Sequence, residues 1–180
     1  MIQNQVMAEE TASAGSMSTV AGLYLHGPRS SQPGDTEPTP MISVTEVTAL
    51  AGKGLAGSPE RHLRASLPDG REHNRQVSLI DEGTLVRHRT RFGPFSDAVV
   101  KSQIVLSGSV NLPELLGREL VFGAGEEAVV LHLTIRRDPC EEMDLIASGL
   151  REAMRHGQQG ALARVVHGGR IVLGQIVTIR

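Results

Sequence analysis

The chain has 180 residues, a formal net charge of −2, one cysteine, one tyrosine, three phenylalanines and no tryptophan. A single cysteine excludes an internal disulfide framework and a zinc site with several thiolate ligands. The near-neutral charge and the scarcity of aromatic rings argue against a nucleic-acid partner, which needs a basic surface or stacking side chains. The 20 glycines and 9 prolines favour short strands joined by tight turns, around a core of aliphatic side chains.

Residues 1–18 lack the basic start and the apolar stretch of a signal peptide, and their composition predicts a disordered tail. Residues 19–180 predict a single domain, since a domain takes about 150 residues. No segment approaches the roughly 18 consecutive apolar residues that span a bilayer. We therefore expect a cytoplasmic protein that has no membrane partner.

Segments rich in β-branched and aliphatic residues predict a mainly β protein. The predicted strands are residues 19–25, 42–50, 75–81, 99–107, 119–122, 127–136, 162–167 and 171–179, the last interrupted by Gly174. A loop rich in Pro, Gly and Ser separates the first two, at residues 26–40. The connections are too short and turn-rich for regular crossover helices. We expect a closed, mostly antiparallel β-barrel, because closure removes exposed strand edges.

One helix is predicted near the carboxyl end of the chain. Apolar residues recur at the spacing of one helical face, at Met143, Ile146, Ala147, Leu150 and Met154, and Gly157 follows as a stop. Asp138 suits the N-cap of this helix and Pro139 suits its first position. The pattern therefore places Cys140 in the first helical turn.

Cys140 is the candidate for chemistry at this helix start. The unpaired backbone N–H groups of a helix N-terminus and the adjacent Arg136 and Arg137 favour a thiolate, whereas Glu141 and Glu142 oppose it. A thiolate is both a nucleophile and a soft metal ligand. The alternative is that Cys140 is a small buried packing residue, as many free cysteines are. The residues alone leave both interpretations open.

Two other motifs do not carry a site. Residues 52–57 match G-x-G-x-x-G, but no helix with an apolar stripe follows them, so a dinucleotide-binding turn is rejected in favour of a tight turn. The basic run RHRTR, residues 87–91, predicts a solvated loop, and phosphate binding is the less favoured alternative. The seven histidines are scattered without the spacing of metal ligands.

Five segments, taken in order, resemble a known family. They are AGKGLAGS (residues 51–58), NRQVSLID (74–81), VVKSQIVLSGSVNLPELLGREL (99–120), RRDPCEEM (136–143) and ARVVHGGRIVLGQIV (163–177). Together they resemble the MOSC domain, named for the C-terminal domain of molybdenum cofactor sulfurase, as a stand-alone member. The resemblance implies a MOSC-like β-barrel over residues 19–180, with one clear helix after the cysteine and small extra helices.

The resemblance also implies roles for particular residues. Cys140 matches the family's characteristic cysteine, which carries or transfers sulfur in the sulfurases and ligates molybdenum in the related amidoxime-reducing proteins. Arg75 and Lys101 match basic positions that hold the pterin phosphate of the molybdenum cofactor (molybdopterin), and Arg136 and Arg137 are expected to bind it too. All four lie on or beside predicted strands.

Three functions follow as hypotheses, and whether the chain is an enzyme stays open among them. The first is a domain that binds the molybdenum cofactor or carries sulfur on Cys140 as a persulfide, for maturation of a metal–sulfur cofactor. Its sulfur would come from a cysteine desulfurase-type donor, since pyridoxal phosphate could sit only on a separate partner protein. The second is a molybdenum-dependent reductase of N-hydroxylated compounds, served by a separate reductase. The third is a non-catalytic binding module in which Cys140 is buried.

Overall fold

The structure is a computed structural model that describes residues 17–28, 34–60, 63, 67, 69–71 and 73–180. The predicted tail, residues 1–18, lies outside the described residues except for Met17 and Ser18, which begin the first strand. No helix within the described ranges is long and apolar enough to cross a membrane.

Strands account for most of the regular structure in the described part of the chain. They are β1 (Met17–Leu25), β2 (Ile42–Ser43), β3 (Glu46–Leu50), β4 (Gly54–Leu55), β5 (Val77–Asp81), β6 (Ile104–Leu106), β7 (Glu119–Phe122), β8 (Val129–Arg136), β9 (Ala161–His167), β10 (Gly169–Val172) and β11 (Ile176–Ile179). Seven of them close a barrel in the order β1-β11-β7-β8-β9-β5-β6, with β6 pairing back to β1. The mainly β prediction is confirmed.

The barrel is mixed, which corrects the prediction of a mostly antiparallel one. Strands β5 and β6 run parallel, with Leu79 opposite Ile104, and a ring of seven strands cannot alternate direction at every step. A parallel pair also needs a crossover connection, usually helical. Helix α1 (Glu82–Phe92) lies in this connection. The basic residues 87–91 indicate a solvated loop by their composition, and for that reason the crossover helix is not predicted from the sequence.

Helix α1 has a regular start and stop. Asp81 caps it, because its carboxylate accepts hydrogen bonds from the backbone N–H of Thr84 at 2.9 Å and from the Thr84 hydroxyl at 2.9 Å. The acidic Glu82 lies in the first turn, basic residues lie in the last turn, and Gly93 ends the helix with a φ of 88°. The predicted solvated loop at residues 87–91 is therefore wrong: these residues are helical.

The predicted single helix after the cysteine is also wrong. The segment forms two short helices, α2 (Met143–Ile146) and α3 (Leu150–Ala153), and Ala147 between them is extended. The carboxylate of Asp144 accepts hydrogen bonds at 3.1 Å from the backbone N–H groups of both Gly149 and Arg151, so the chain turns there instead of continuing as a helix. The longest helix in the described residues is α1, which precedes the cysteine.

Two apolar clusters hold the structure together. One fills the barrel with aliphatic side chains and Phe122, among them Leu79, Leu106, Leu131 and Leu133. The other lies outside the barrel, where α1, α2 and α3 cover β5 and β6, and it comprises Ile80, Leu85, Val100, Val105, Met143, Leu150 and Met154. Strand β5 is buried along its whole length because it contacts both clusters.

A smaller sheet of β10, β3 and β4 lies beside the barrel. Residues 51–53 join β3 to β4, whose Leu55 pairs with Ala49 of β3. Gly52 and Gly57 have φ values of 69° and 85°, which glycine adopts without strain. The G-x-G-x-x-G match thus covers a hairpin turn, the short strand β4 and the turn after it, and the described residues between β4 and β5 contain no α-helix, which a dinucleotide site would need.

Candidate functional site

Cys140 lies in the loop between β8 and α2, and it is exposed. Its carbonyl oxygen accepts a hydrogen bond from the N–H of Met143 at 3.2 Å, and the N-cap of α2 is Glu142. The cysteine therefore precedes the helix, which corrects its predicted place in a helical first turn behind an Asp138 cap. The neighbouring Pro139 and Met143 are buried, so the loop is anchored on both sides of the thiol. The interpretation of Cys140 as a buried packing residue is wrong.

Arg137 connects this loop to the turn that precedes β6. Its guanidinium donates hydrogen bonds to the carbonyl oxygens of Val100 at 3.2 Å and Lys101 at 2.8 Å, and to the Ser102 hydroxyl at 2.7 Å. Its backbone N–H donates to the carbonyl oxygen of Gly160 at 3.1 Å. These contacts fix the cation in place through several donors at once.

The charges around Arg137 show which predicted residues the fold brings together. Burial lowers the pKa of Arg137 to about 10, the negative charge of Cys140 opposes the fall, and the positive charge of Arg75 adds to it. Arg137 therefore remains a cation at neutral pH, and both the Arg75 guanidinium and the thiolate form of Cys140 lie within range of its charge. The structure places Cys140, Arg137 and Arg75 in one neighbourhood.

Lys101 reaches the same neighbourhood from the turn before β6. It has a left-handed backbone, with a φ of 61°, and follows a short 3-10 helix at Asp97–Val100. The prediction of a strand over residues 99–107 is therefore wrong at Lys101. The Lys101 ammonium lies 2.9 Å from the carboxylate of Glu142 and also donates to the carbonyl oxygen of Thr39. Its charge is neutralised by the loop that carries the thiol.

Arg75 is exposed and lies just before β5, not within a strand. Its backbone N–H donates to Nδ1 of His73 at 3.1 Å. The Arg75 side chain is therefore more accessible to a ligand than those of Lys101 and Arg137, which are held by protein oxygens.

Arg136 lies elsewhere. Successive residues of an extended strand point to opposite sides, so the last residue of β8 points away from the side that Arg137 occupies. Arg136 lines a separate cleft of about 490 Å³ with Asp138, Pro139, Arg151, Arg155, His156 and Gly157. The four basic residues predicted for one ligand are therefore divided between two surfaces.

Sequence reasoning missed the polar residues that hold the site's backbone. Ser78 and Gln103 clamp β5 to the turn before β6: the Ser78 N–H donates to Oε1 of Gln103 at 3.1 Å, and the Gln103 N–H donates to the Ser78 hydroxyl at 3.1 Å. Gln159 donates through Nε2 to the carbonyl oxygen of Val100 at 3.2 Å, and its Oε1 has no hydrogen-bond partner. The signal in the sequence was the presence of polar residues such as Ser78 and Gln103 within apolar runs, because a polar side chain that is buried there needs a hydrogen-bond partner.

No group of three or more His, Cys, Asp or Glu residues among the described ranges is arranged to hold a metal ion. No family model and no curated protein matches the chain.

Solved structures do match the chain. YuaD from Bacillus subtilis superposes with a TM-score of 0.70 at 16% identity, over 91% of this chain and 96% of that one. YiiM from Geobacillus stearothermophilus gives a TM-score of 0.64 at 16% identity, over 92% and 75% of the two chains. YiiM from Escherichia coli gives 0.59 at 15% identity, over 90% and 69%. The chain shares the fold of these proteins. At such identities the likeness establishes the fold alone.

Proposed function

We propose that this chain is a stand-alone MOSC-like domain that carries sulfur on Cys140, as a persulfide, for the maturation of a metal–sulfur cofactor. The observation that supports this most directly is the exposed Cys140, whose thiolate form interacts with the charge of the fixed Arg137. A carrier cysteine must reach the active sites of two other proteins, and exposure in an anchored loop meets that need.

The transfer requires only a thiolate and a sulfur donor. The Cys140 thiolate attacks the terminal sulfur of a persulfide on a cysteine desulfurase-type partner. A new S–S bond forms on Cys140, the donor's S–S bond breaks, and the donor cysteine leaves as a thiolate. Pyridoxal phosphate belongs to that partner in this proposal.

Arg137 contributes by electrostatics. The attraction that opposes the fall in its pKa also stabilises an anionic sulfur on Cys140. Its hydrogen bonds to the carbonyl oxygens of Val100 and Lys101 hold the guanidinium in place when the sulfur is passed to a partner protein. Arg137 therefore keeps a fixed cation within electrostatic range of the sulfur while the partner changes.

The residues fit the molybdenum cofactor in part. Cys140 offers a thiolate ligand and Arg75 offers an accessible charge for the pterin phosphate, whereas Lys101 is paired with Glu142 and Arg137 is held by backbone oxygens. When bound, the cofactor would supply a redox-active metal. This partial fit ranks cofactor binding, and reduction of N-hydroxylated compounds with a separate reductase, behind sulfur carriage.

The test compares the folded protein with its own unfolded chain, which holds the same single thiol without its neighbours. A cysteine desulfurase and free cysteine supply the sulfur, and intact-mass spectrometry follows the gain of one sulfur atom. We expect faster persulfide formation in the folded protein, and a persulfide that survives longer. A folded protein that reacts no faster than the unfolded chain contradicts the proposal.

Metal analysis separates the second function from the first. Protein expressed in a host that makes the molybdenum cofactor is analysed for molybdenum and pterin. We expect substoichiometric amounts of both. One molybdenum per chain that is lost in Cys140→Ser, with turnover of an N-hydroxylated substrate, would replace sulfur carriage with the reductase function.

A further inference from the structure

We infer that the cleft beside the end of β8, lined by Arg136, Asp138, Pro139, Arg151, Arg155, His156 and Gly157, is a binding site for a phosphate-type oxyanion. This inference is independent of sulfur carriage, because neither Cys140 nor Arg137 lines the cleft. The expected ligand is a phosphate group, either as the free ion or as the monoester of a small molecule.

The charge of the lining points to an anion. Three arginines face the cleft against one aspartate, although the chain as a whole carries a net charge of −2. Guanidinium groups bind phosphate through parallel N–H donors, and several of them around one space suit an anion with more than two oxygens. Nucleic acid is disfavoured as the ligand, because a cleft of about 490 Å³ is not the extended basic surface that such a partner needs.

The acidic neighbours of these arginines hold them weakly. Arg151 lies 3.8 Å from the carboxylate of Glu141, and Arg155 lies 3.1 Å from that of Glu152. The side chains of Glu141 and Glu152 are 89% and 69% exposed, so solvent screens both pairs. An incoming phosphate therefore competes with contacts that contribute little.

The turn that forms the cleft floor is closely packed. His156 and Gly157 have φ values of 57° and 87°, both left-handed. A Cβ at position 157 would lie 2.9 Å from the ring of Pro113 and 3.3 Å from Cδ of Arg136, so only glycine fits beneath the arginine stem. A non-glycine residue such as His156 takes this conformation at an energetic cost, which tight surroundings must offset. This packing holds the stem of Arg136 in place at the cleft before a ligand arrives.

The test is titration calorimetry of the full chain with inorganic phosphate and with glycerol phosphate, at a constant ionic strength set by sodium chloride. We expect saturable binding, weakened about tenfold in Arg155→Gln and in Arg151→Gln, the loss of one charge-assisted contact. Arg170→Gln is the matched control, because Arg170 is likewise exposed and paired with a glutamate, Glu46, in another part of the fold. Cys140→Ser is expected to bind phosphate as the unmodified chain does.

Two ligand arms identify the source of the phosphate. Tighter binding of the ester supports a small-molecule monoester, and equal or tighter binding of inorganic phosphate supports the free ion. A second measurement needs no variant: phosphate is expected to shift the side-chain Nε–Hε resonances of the cleft arginines and to leave that of Arg170 in place. The absence of saturable binding, or equal weakening by Arg170→Gln, overturns the inference.

Discussion

The ammonium of Lys101 lies 2.9 Å from the carboxylate of Glu142, and the two side chains are only 12% and 23% exposed. This ion pair joins the turn before β6 to the loop that carries Cys140. A phosphate bound at Lys101 would have to displace a carboxylate that the fold already holds there. The pair therefore belongs to the support of the thiol loop.

Glu142→Gln tests this support. Removing one charge leaves a largely buried ammonium without its counterion, so we expect the free energy of unfolding to fall by about 1–3 kcal/mol. Urea denaturation measures the change. The double variant Glu142→Gln/Lys101→Met is expected to lose less stability than the sum of the losses in the two single variants, because the two residues share one interaction. Additive losses would show that the pair contributes nothing to stability.

Arg137→Gln tests the electrostatic link to the thiol. The substitution removes the cation that interacts with the Cys140 thiolate, so alkylation by iodoacetamide at neutral pH is expected to slow several-fold. Arg136→Gln is the control, since Arg136 lines the other cleft, and its rate should match that of the unmodified chain. Equal slowing in both variants would point to a nonspecific effect of net charge.

His88 on α1 gives the fold a pH dependence. Burial lowers the pKa of His88, its neighbours Arg87 and Arg91 lower it further, and a contact between its Nε2 and the carbonyl oxygen of Gln158 at 3.1 Å opposes the fall. The unfolded chain therefore binds the proton more readily than the folded one. The stabilising contribution is complete above the unfolded pKa of about 6.5 and is lost as the pH falls below it.

We therefore expect the unmodified protein to lose more stability than His88→Gln between pH 7.5 and pH 5, measured by urea denaturation. The difference between the two proteins isolates the histidine from the carboxyl groups that titrate in both. Parallel pH profiles would contradict the assignment.

Gly160→Ala tests the close approach of β9 to β5. Gly160 has a φ of 88°, and a Cβ there would lie 2.0 Å from the carbonyl oxygen of Leu79. The backbone itself must shift, so we expect a loss of more than about 3 kcal/mol in the free energy of unfolding. Gly125→Ala is the matched control, because Gly125 has a φ of 76° with nothing within 4 Å of the added Cβ. Its loss is expected to be only about 1 kcal/mol, the cost of the left-handed conformation. Similar losses in both would remove the steric explanation.

The strands were predictable because alternation and β-branched runs are local signals, as in β8 and β9. The helices were not. One continuous helix and two short helices bury the same stripe of Met143, Leu150 and Met154, so the apolar spacing does not distinguish them. The chain forms two helices because the Asp144 carboxylate accepts a hydrogen bond from the backbone N–H of Gly149. Helix α1 was missed because it buries only Thr84, Leu85 and His88, too few residues for a clear period.

The sequence predicted that Cys140, Arg75 and Arg137 lie near one another, but it did not predict where Arg136 and Lys101 lie. Cys140 drew attention as the single thiol beside two arginines, and Arg75 and Arg137 do interact near it. The division between Arg136 and Arg137 depends on the residue at which β8 ends, and boundaries of this kind depend on tertiary contacts. The pairing of Lys101 with Glu142 required knowing which side of the turn faces the cysteine loop.

The odd number of strands has a geometric consequence for the site. Two neighbouring strands that run the same way begin at the same rim of the barrel, whereas antiparallel neighbours begin at opposite rims. Because β5 and β6 are the parallel pair, the residues that enter them, Arg75 and Lys101, arrive on one rim although helix α1 separates them along the chain. The parity of the barrel is thus what brings these two basic residues to one rim.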